Sequence, residues 1–168
     1  MKFVVRPVEE GDRGWIRAFI CAQWHAESVV SRGTVLYPHE LEGYVAEREG
    51  GKVGLATYAI RNCVCELVTL NSIREREGIG SALVQAVIGQ CRRSGAARLW
   101  LVTSNDNLPA LAFYQKRGFR IAAVHPGAIE RARLLKPSIP LRGIANIPIR
   151  DEIELEMLVG APGRDLPG

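Results

Sequence analysis

The sequence lacks the residue patterns that would hold a metal ion or a set of disulfides. It has four cysteines, but no Cys-x-x-Cys pair and no cysteine–histidine spacing that suits zinc. Cys63 and Cys65 fall two residues apart on a predicted strand, so we expect them on one face, reduced and structural. The three histidines show no spacing typical of a metal site. We therefore expect a fold stabilised by its core and no metal.

Long apolar runs are also missing. No stretch approaches the ~20 residues of a membrane span. Residues Met1 to Arg6 enter a strand-like pattern directly, without an apolar targeting segment. We expect a cytoplasmic protein with no membrane partner.

Charge of one sign is only slightly in excess. Lysine and arginine number 22 against 18 acidic residues, a formal net charge of +4. Aromatic residues make up 7% of the chain and are not interleaved with the short basic clusters, as a nucleic-acid platform would require. This argues against an RNA-binding protein, and an anionic small cofactor explains the excess equally well.

The composition that is present indicates a globular chain. The 168 residues are 47% hydrophobic and 24% charged, and a chain of this length buries roughly 70% of the surface that its unfolded state exposes. We predict a single domain over residues 1–159, with an extension at 125–150 inside it. The segment 160–168 has three glycines, two prolines and little apolar content, so we expect a disordered tail.

Hydrophobic periodicity predicts the element order β-α-β-β-β-α-β-α-β, followed by a further helix and a last strand. Asp12 is the expected N-cap of the first helix, and 31–39 is expected to be a loop. Strands and helices alternate in the second half of the chain, which is typical of a mixed α/β domain. The predicted strands are 2–6, 42–48, 53–60, 63–70, 98–103, 119–124 and 152–158. The predicted helices are 13–28, 107–117, 127–136 and one that begins at Ile79 and ends at Ser94-Gly95.

A glycine-bearing loop joins one of these strands to a helix, in the sequence Arg74-Glu75-Arg76-Glu77-Gly78-Ile79-Gly80-Ser81. The first N–H groups of a helix have no intrahelical partner, and the helix dipole adds positive potential, so such a start can bind a phosphate. The loop is not a P-loop, because Gly-Lys-Ser/Thr is missing. It is not a Rossmann loop either, because Leu83 stands at the third glycine position. Taken alone, it is equally compatible with an ordinary solvated loop.

A second segment, from Ser104 to Phe119, contains Asn107, Tyr114 and Gly118. Together the two segments resemble the GNAT superfamily of N-acetyltransferases, closely over residues 66–121. The resemblance implies an α+β, mixed α/β fold with a central, mostly antiparallel sheet flanked by helices, and acetyl-CoA as cosubstrate.

In that family the glycine loop binds the CoA pyrophosphate. Glu75 departs from the family pattern, which has Arg or Gln at this position, while arginines flank it on both sides. Because the main contacts of such loops are backbone N–H groups, either arginine could still supply charge to the phosphates. The implied pyrophosphate residues are Arg74, Glu75, Arg76, Glu77, Gly78, Ile79, Gly80 and Ser81.

The resemblance also implies roles for individual residues. Tyr114 would protonate the departing thiolate, and Glu66 would accept the amine proton, directly or through water. Val68 would pair with the pantetheine arm, Leu70 would polarise the thioester carbonyl through its backbone N–H, and Asn107 would contact the CoA arm. The structural alternatives are a core-packed Tyr114, a partly exposed Glu66 without a role, and Asn107 as a helix N-cap.

The sequence thus predicts an N-acetyltransferase in which a primary amine attacks acetyl-CoA in a ternary complex, with no covalent acyl-enzyme, because no cysteine has a basic partner. The alternative is a non-catalytic acyl-CoA-binding or sensing module. The acceptor, a small molecule or a peptide, is not determined, and neither is the choice between monomer and homodimer. Arg131 and Arg133 of the extension could meet an acidic acceptor or face solvent.

Overall fold

The strands and helices follow the order expected from the sequence, with two additional short strands after the first helix. The structure is a computed structural model that describes residues 2–74 and 76–160. The described strands are β1 (Val4–Pro7), β2 (Val29–Ser31), β3 (Thr34–Leu36), β4 (Glu42–Arg48), β5 (Gly51–Arg61), β6 (Val64–Ser72), β7 (Arg98–Ser104), β8 (Arg120–His125) and β9 (Glu152–Leu158). The helices are α1 (Arg13–Trp24), α2 (Ile79–Arg93), α3 (Leu108–Gln115) and α4 (Ala128–Leu135).

The elements group into two compact units. The first contains the chain up to Pro7, Glu42–Leu99 and the end of the chain from Leu158, and the second contains Val8–Leu41 and Trp100–Met157. The predicted mixed α/β class, with a mostly antiparallel sheet and packed helices, is confirmed. The predicted single domain over 1–159 stays a prediction, and residues 161–168 of the predicted tail lie outside the described residues.

The first unit is an antiparallel sheet with strands in the order β1-β4-β5-β6. Strand β5 is buried on both faces from Val53 to Tyr58, as its continuous apolar sequence would require. Helix α2 packs on one face of this sheet, because its buried side chains form a stripe at helical spacing. They are Ile79, Leu83, Val84, Val87, Ile88 and Cys91.

The second unit contains β7, β9 and β8 as neighbours, with β8 and β9 antiparallel. Helix α1 contributes the fully buried side chains of Ile16 and Ile20 to its core. Helix α4 follows β8 and buries its apolar face through residues that include Ile129. The extension therefore contains a helix at the predicted place.

Two predictions of local structure are wrong. Residues 31–39 are not a plain loop: β2 and β3 form a hairpin whose turn, Arg32-Gly33, has φ of 48° and 76°. Positive φ at both turn positions is the type I′ geometry that matches the twist of two-residue hairpins. Cys63 does not lie on a strand beside Cys65. It occupies, with Asn62, the two positive-φ positions of the turn between β5 and β6.

Helix α1 is shorter than the predicted 13–28. It ends when His25 adopts the left-handed conformation at φ 57°, with its N–H bonded to the Cys21 carbonyl. Asp12 does precede the helix, but its carboxylate accepts the N–H of Glu9 at 2.8 Å, so it caps the preceding turn rather than α1.

The irregular segment after α4 is held by hydrogen bonds to backbone carbonyls. The Arg133 guanidinium donates to the carbonyls of Pro140 and Ile149 at 2.7 and 2.5 Å. Asp106 accepts the N–H of Ile144 at 3.0 Å, and a Cβ added at Gly143 would lie 1.9 Å from the Asp106 carboxylate. Arg133 is partly exposed, and its guanidinium ties the segments of the extension together.

None of the described helices has the length and hydropathy needed to cross a bilayer. Within the same residues, no group of three or more His, Cys, Asp or Glu side chains is arranged to hold a metal ion.

Candidate functional site

Strand β6, which carries the predicted base Glu66, is interrupted by a bulge. In the register with β5, Thr57 faces Thr69 and Tyr58 faces Leu67, so Val68 is the extra residue between them. Side chains alternate across a strand, and one extra residue reverses that alternation. Glu66 therefore lies on the same sheet face as Thr69, whose hydroxyl is 2.7 Å from that of Thr57.

Glu66, Val68 and Leu70 are each partly exposed, whereas Cys65, Leu67 and Thr69 are buried. The three predicted site residues of β6 are thus all partly accessible, as are Val64, Asn71 and Ser72 of the same strand. Bulges are enriched next to active sites, where they redirect side chains or end strand pairing.

The loop after β6 is anchored to the sheet before the helix begins. The N–H of Ile73 donates to the carbonyl of Val53 at 2.9 Å, which continues the β5–β6 pairing by one residue. The Ser72 hydroxyl donates to the carbonyl of Arg74 at 3.0 Å. Glu75, the residue that departs from the family pattern, lies outside the described residues.

Gly78 is the N-cap of α2 and adopts the left-handed conformation, with φ 79° and ψ 0°. Arg76, two residues earlier, also has a positive φ of 63°. A Cβ at Gly78 would meet no described atom within 4 Å, so the dihedral angles, rather than a lack of space, favour glycine here.

The first hydrogen bond of α2 runs from the N–H of Ala82 to the carbonyl of Gly78 at 3.0 Å. The amides before Ala82 therefore have no acceptor four residues back inside the helix. Among the described residues no side chain caps this end of the helix. Helix-start amides without an intrahelical acceptor, the helix dipole and left-handed backbone are the features that favour anion binding at such a position.

Charged side chains surround this helix start. Glu77 carries two arginine partners: its carboxylate is 2.9 Å from Nη1 of Arg48 and 3.8 Å from Nη1 of Arg74. Arg76 is exposed and forms no ion pair with any described residue. Both arginines that flank Glu75 are exposed, and the Arg74 side chain is 55% exposed despite its contact with Glu77.

The helix start is also pressed closely onto the sheet. A Cβ added at Gly54 of β5 would lie 2.6 Å from Cγ2 of Ile79 and 3.0 Å from Cδ1 of Leu83. Only glycine allows this approach, because real side-chain atoms do not come so near. The sheet therefore fixes where α2 begins.

The predicted residues Asn107 and Tyr114 belong to the second unit. Asn107 is the N-cap of α3, and its Oδ1 accepts the N–H of Ala110 at 3.2 Å. The structural alternative for Asn107 is therefore confirmed, and the amide Nδ2 remains as the side chain's donor.

Tyr114 is 8% exposed and lies between two aromatic rings. Its ring centroid is 5.1 Å from that of Phe113 and 5.3 Å from that of Phe119, both in edge-to-face geometry. Burial raises the pKa of the Tyr114 phenol well above its ordinary value, and the nearby Arg117 offsets this only in part. Tyr114 is consequently protonated at neutral pH, as a general acid must be.

Arg48 and Gly54 were not predicted from the sequence, although both shape the helix start. Gly54 lies inside a predicted strand, where a glycine indicates close approach of another element. The sequence therefore contained a signal for this packing. Arg48 ends a strand about thirty residues before its partner Glu77, so no local pattern could connect the two.

Comparison with known proteins places these features in a family. The model of the acetyltransferase (GNAT) family matches residues 9–119. Protein YdhI of Bacillus subtilis (strain 168), described as uncharacterized, is 39% identical over 151 residues, which cover 89% of this chain and 94% of YdhI.

Two further proteins are similar to this chain. The [ribosomal protein bS18]-alanine N-acetyltransferase of Escherichia coli (strain K12) is 33% identical over 75 residues, 42% of this chain and 51% of that enzyme. The crystal structure of a Bacillus subtilis acetyltransferase in complex with CoA has a TM-score of 0.67 at 20% identity, covering 94% of this chain and 99% of that one.

Proposed function

Because the chain belongs to the acetyltransferase (GNAT) family, we propose that it transfers the acetyl group of acetyl-CoA to a primary amine. The observation that carries this proposal is the start of α2, where left-handed Gly78 precedes helix amides that have no intrahelical acceptor. The amine attacks the thioester directly, within a ternary complex of enzyme, acetyl-CoA and acceptor.

The cofactor site comprises the segment from Arg74 to Ser81. Backbone N–H groups at the start of α2 bind the pyrophosphate, and Arg76 adds positive charge. The CoA bound to the structurally similar Bacillus subtilis acetyltransferase supports this choice of cosubstrate. Glu75 is included in the site on sequence grounds alone.

Tyr114 acts as the general acid. The thiol of CoA has an ordinary pKa near 8.5, so its thiolate is a tolerable leaving group that needs one proton. Burial raises the pKa of the Tyr114 phenol, which keeps the phenol protonated at neutral pH but also makes it a weaker acid than the thiol of CoA. The proposed proton transfer therefore requires direct contact between the phenol and the thiolate as the thioester C–S bond breaks.

Glu66 acts as the general base, directly or through one water. An amine of the lysine type has a pKa of about 10.4 and is almost wholly protonated at pH 7, so it must lose a proton before it can attack. The partial exposure of Glu66 and its place two residues before the bulge at Val68 support this role.

The remaining β6 residues orient the thioester. The pantetheine arm pairs with the strand at Val68, where the bulge disturbs the regular β5–β6 pairing. The N–H of Leu70 polarises the thioester carbonyl. Asn107 contacts the arm through its Nδ2 group while its Oδ1 caps α3.

The acceptor is an amine of a small molecule or a peptide. The similar Escherichia coli enzyme is named for an alanine of ribosomal protein bS18, which supports a peptide amine as one class to test.

Thermal melting with acetyl-CoA tests the cofactor assignment. A ligand at ~100 times its dissociation constant stabilises the folded state by ~2.7 kcal/mol, which shifts Tm by roughly 2–4 °C per kcal/mol for a chain of this size. No shift at millimolar acetyl-CoA would exclude the proposed cosubstrate.

A thiol-release assay over amines, amino acids, polyamines and peptides then tests turnover. Release of CoA that depends on an amine is the expected result. Binding of acetyl-CoA without turnover on any amine would favour the alternative, a non-catalytic acyl-CoA-binding or sensing module.

A further inference from the structure

Arg48 is a nearly buried cation beside the helix start. It is the last residue of β4, paired in register with Gly51 of β5, and its side chain is 9% exposed. Its Nη1 donates to Oε2 of Glu77 at 2.9 Å. A guanidinium with so little exposure is costly without an anionic partner, so this ion pair is a fixed part of the unit.

Glu77 stands directly before Gly78 in the chain. Its other carboxylate oxygen is 3.8 Å from Nη1 of Arg74, three residues earlier in the chain. Glu77 is therefore hydrogen-bonded through one oxygen to the last residue of β4 and lies near a second arginine through the other. The hydrogen bond to Arg48 restrains Glu77 directly before Gly78.

A carboxylate next to a diphosphate site is electrostatically unfavourable in itself, because like charges repel at short range. The two arginines offset the negative charge of Glu77. Through their contacts with its carboxylate they also restrain the backbone next to Gly78. Arg48 is the stronger restraint, since it is less exposed than Arg74 and hydrogen-bonded rather than merely near.

We propose that Arg48 is a positioning residue of the cofactor site: through Glu77 it holds the left-handed backbone at Arg76 and Gly78 that aims the α2 amides at the CoA pyrophosphate. This inference rests on the proposed function. It assigns to Arg48 and Glu77 a role in cofactor affinity that involves no step of the acetyl transfer.

Substitution of Glu77 separates positioning from simple electrostatics. Glu77→Ala removes a negative charge near the phosphates, so electrostatics alone predicts tighter CoA binding. Positioning predicts weaker binding, by roughly tenfold, the equivalent of one charge-assisted hydrogen bond. Isothermal titration with CoA measures the dissociation constant, and binding that is tighter or within twofold of wild type would overturn the proposal.

A double variant keeps the net charge while the ion pair is lost. We expect Arg48→Met, Glu77→Ala and the double variant to weaken CoA binding by similar factors, because all three break the same contact. The KM for acetyl-CoA should rise while kcat stays within twofold, and Arg48→Lys should restore part of the affinity. Additive losses in the double variant would contradict a shared positioning role.

Glu47→Ala is the matched control. Glu47 is the neighbour of Arg48 on β4 and forms an ion pair with Arg6 of β1 at 2.5 Å. The Glu47→Ala variant should have a changed Tm and the same dissociation constant for CoA as the wild type. If a single variant does not fold, the double variant still decides, because it leaves neither Arg48 nor Glu77 as a charge without its partner.

The experiment also separates this inference from the proposed function. If the wild-type protein does not bind CoA, both fail. If the wild type binds CoA and Glu77→Ala binds it equally well, only the role of Arg48 and Glu77 fails.

Discussion

The start of α2 in the first unit and helix α3 in the second are built on different principles. At α2 the proposed functional groups are backbone amides, and the sequence supplies the conformations around them, above all the left-handed Gly78. At α3 the proposed functional groups are side chains, the phenol of Tyr114 and the amide of Asn107, and the backbone is an ordinary capped helix.

This difference predicts which property each region controls. A backbone site binds a charged group and holds it in place, and it tolerates exchange of side chains such as Glu75. A buried phenol that is proposed to donate a proton would act on the chemical step and contribute little to affinity. We therefore expect changes at α2 to act on cofactor binding and changes at Tyr114 to act on turnover.

The largest expected effect is that of Tyr114→Phe. The substitution removes only the hydroxyl and keeps the ring contacts with Phe113 and Phe119. Loss of a general acid costs roughly 10²–10⁴-fold in rate, so kcat in the thiol-release assay should fall by that factor. The dissociation constant of CoA should stay within about twofold of the wild-type value, because the hydroxyl is not proposed to contribute to binding.

Tyr44→Phe is the matched control for this experiment. Tyr44 is equally buried, at 8% exposure, but its hydroxyl accepts a hydrogen bond from Arg93 in the first unit. The Tyr44→Phe variant should have a lower Tm than the wild type and the same kcat. If Tyr114→Phe retained wild-type turnover, Tyr114 would have only its packing role, and another group would have to protonate the thiolate.

An intermediate effect is expected for Gly78→Ala, which tests the backbone site. Alanine at φ 79° is strained by about 1–2 kcal/mol. The helix start can relieve the strain by leaving the left-handed conformation, which misdirects the amides. We expect a lower Tm and a rise in the KM for acetyl-CoA of roughly tenfold, with kcat nearly unchanged.

Gly50→Ala provides the control for strain alone. Gly50 lies in the β4–β5 turn at φ 97°, and a Cβ added there, as at Gly78, would meet no described atom within 4 Å. Both substitutions should lower Tm, but only Gly78→Ala should raise KM. Equal KM values for the two variants would remove Gly78 from the cofactor site.

The sequence predicted most elements because their patterns are local. Helix α2, for instance, follows from an apolar stripe that begins at Ile79 and a glycine before it. The β2–β3 hairpin was missed although β-branched residues flank Arg32-Gly33, because arginine is an unusual first residue for a type I′ turn.

The site was predicted less completely than the fold, because some of its contacts join distant parts of the chain. The pairing of Arg48 with Glu77 and the approach of Ile79 to Gly54 depend on how α2 packs against the sheet. The bulge at Val68 is likewise a property of the register between β5 and β6, which no pattern within β6 alone specifies.

The smallest expected effect distinguishes the two roles of Asn107, whose Oδ1 caps α3 and whose Nδ2 is proposed to contact the CoA arm. Asn107→Ser keeps a side-chain oxygen that caps helices about as well and removes the amide donor. It should leave Tm unchanged and weaken CoA binding a fewfold. Asn107→Ala removes both groups, so it should weaken binding to the same extent and also lose about 1 kcal/mol of stability. If Asn107→Ser instead binds CoA as well as the wild type does, Asn107 acts through the helix cap alone, and α3 contributes to the reaction only through Tyr114.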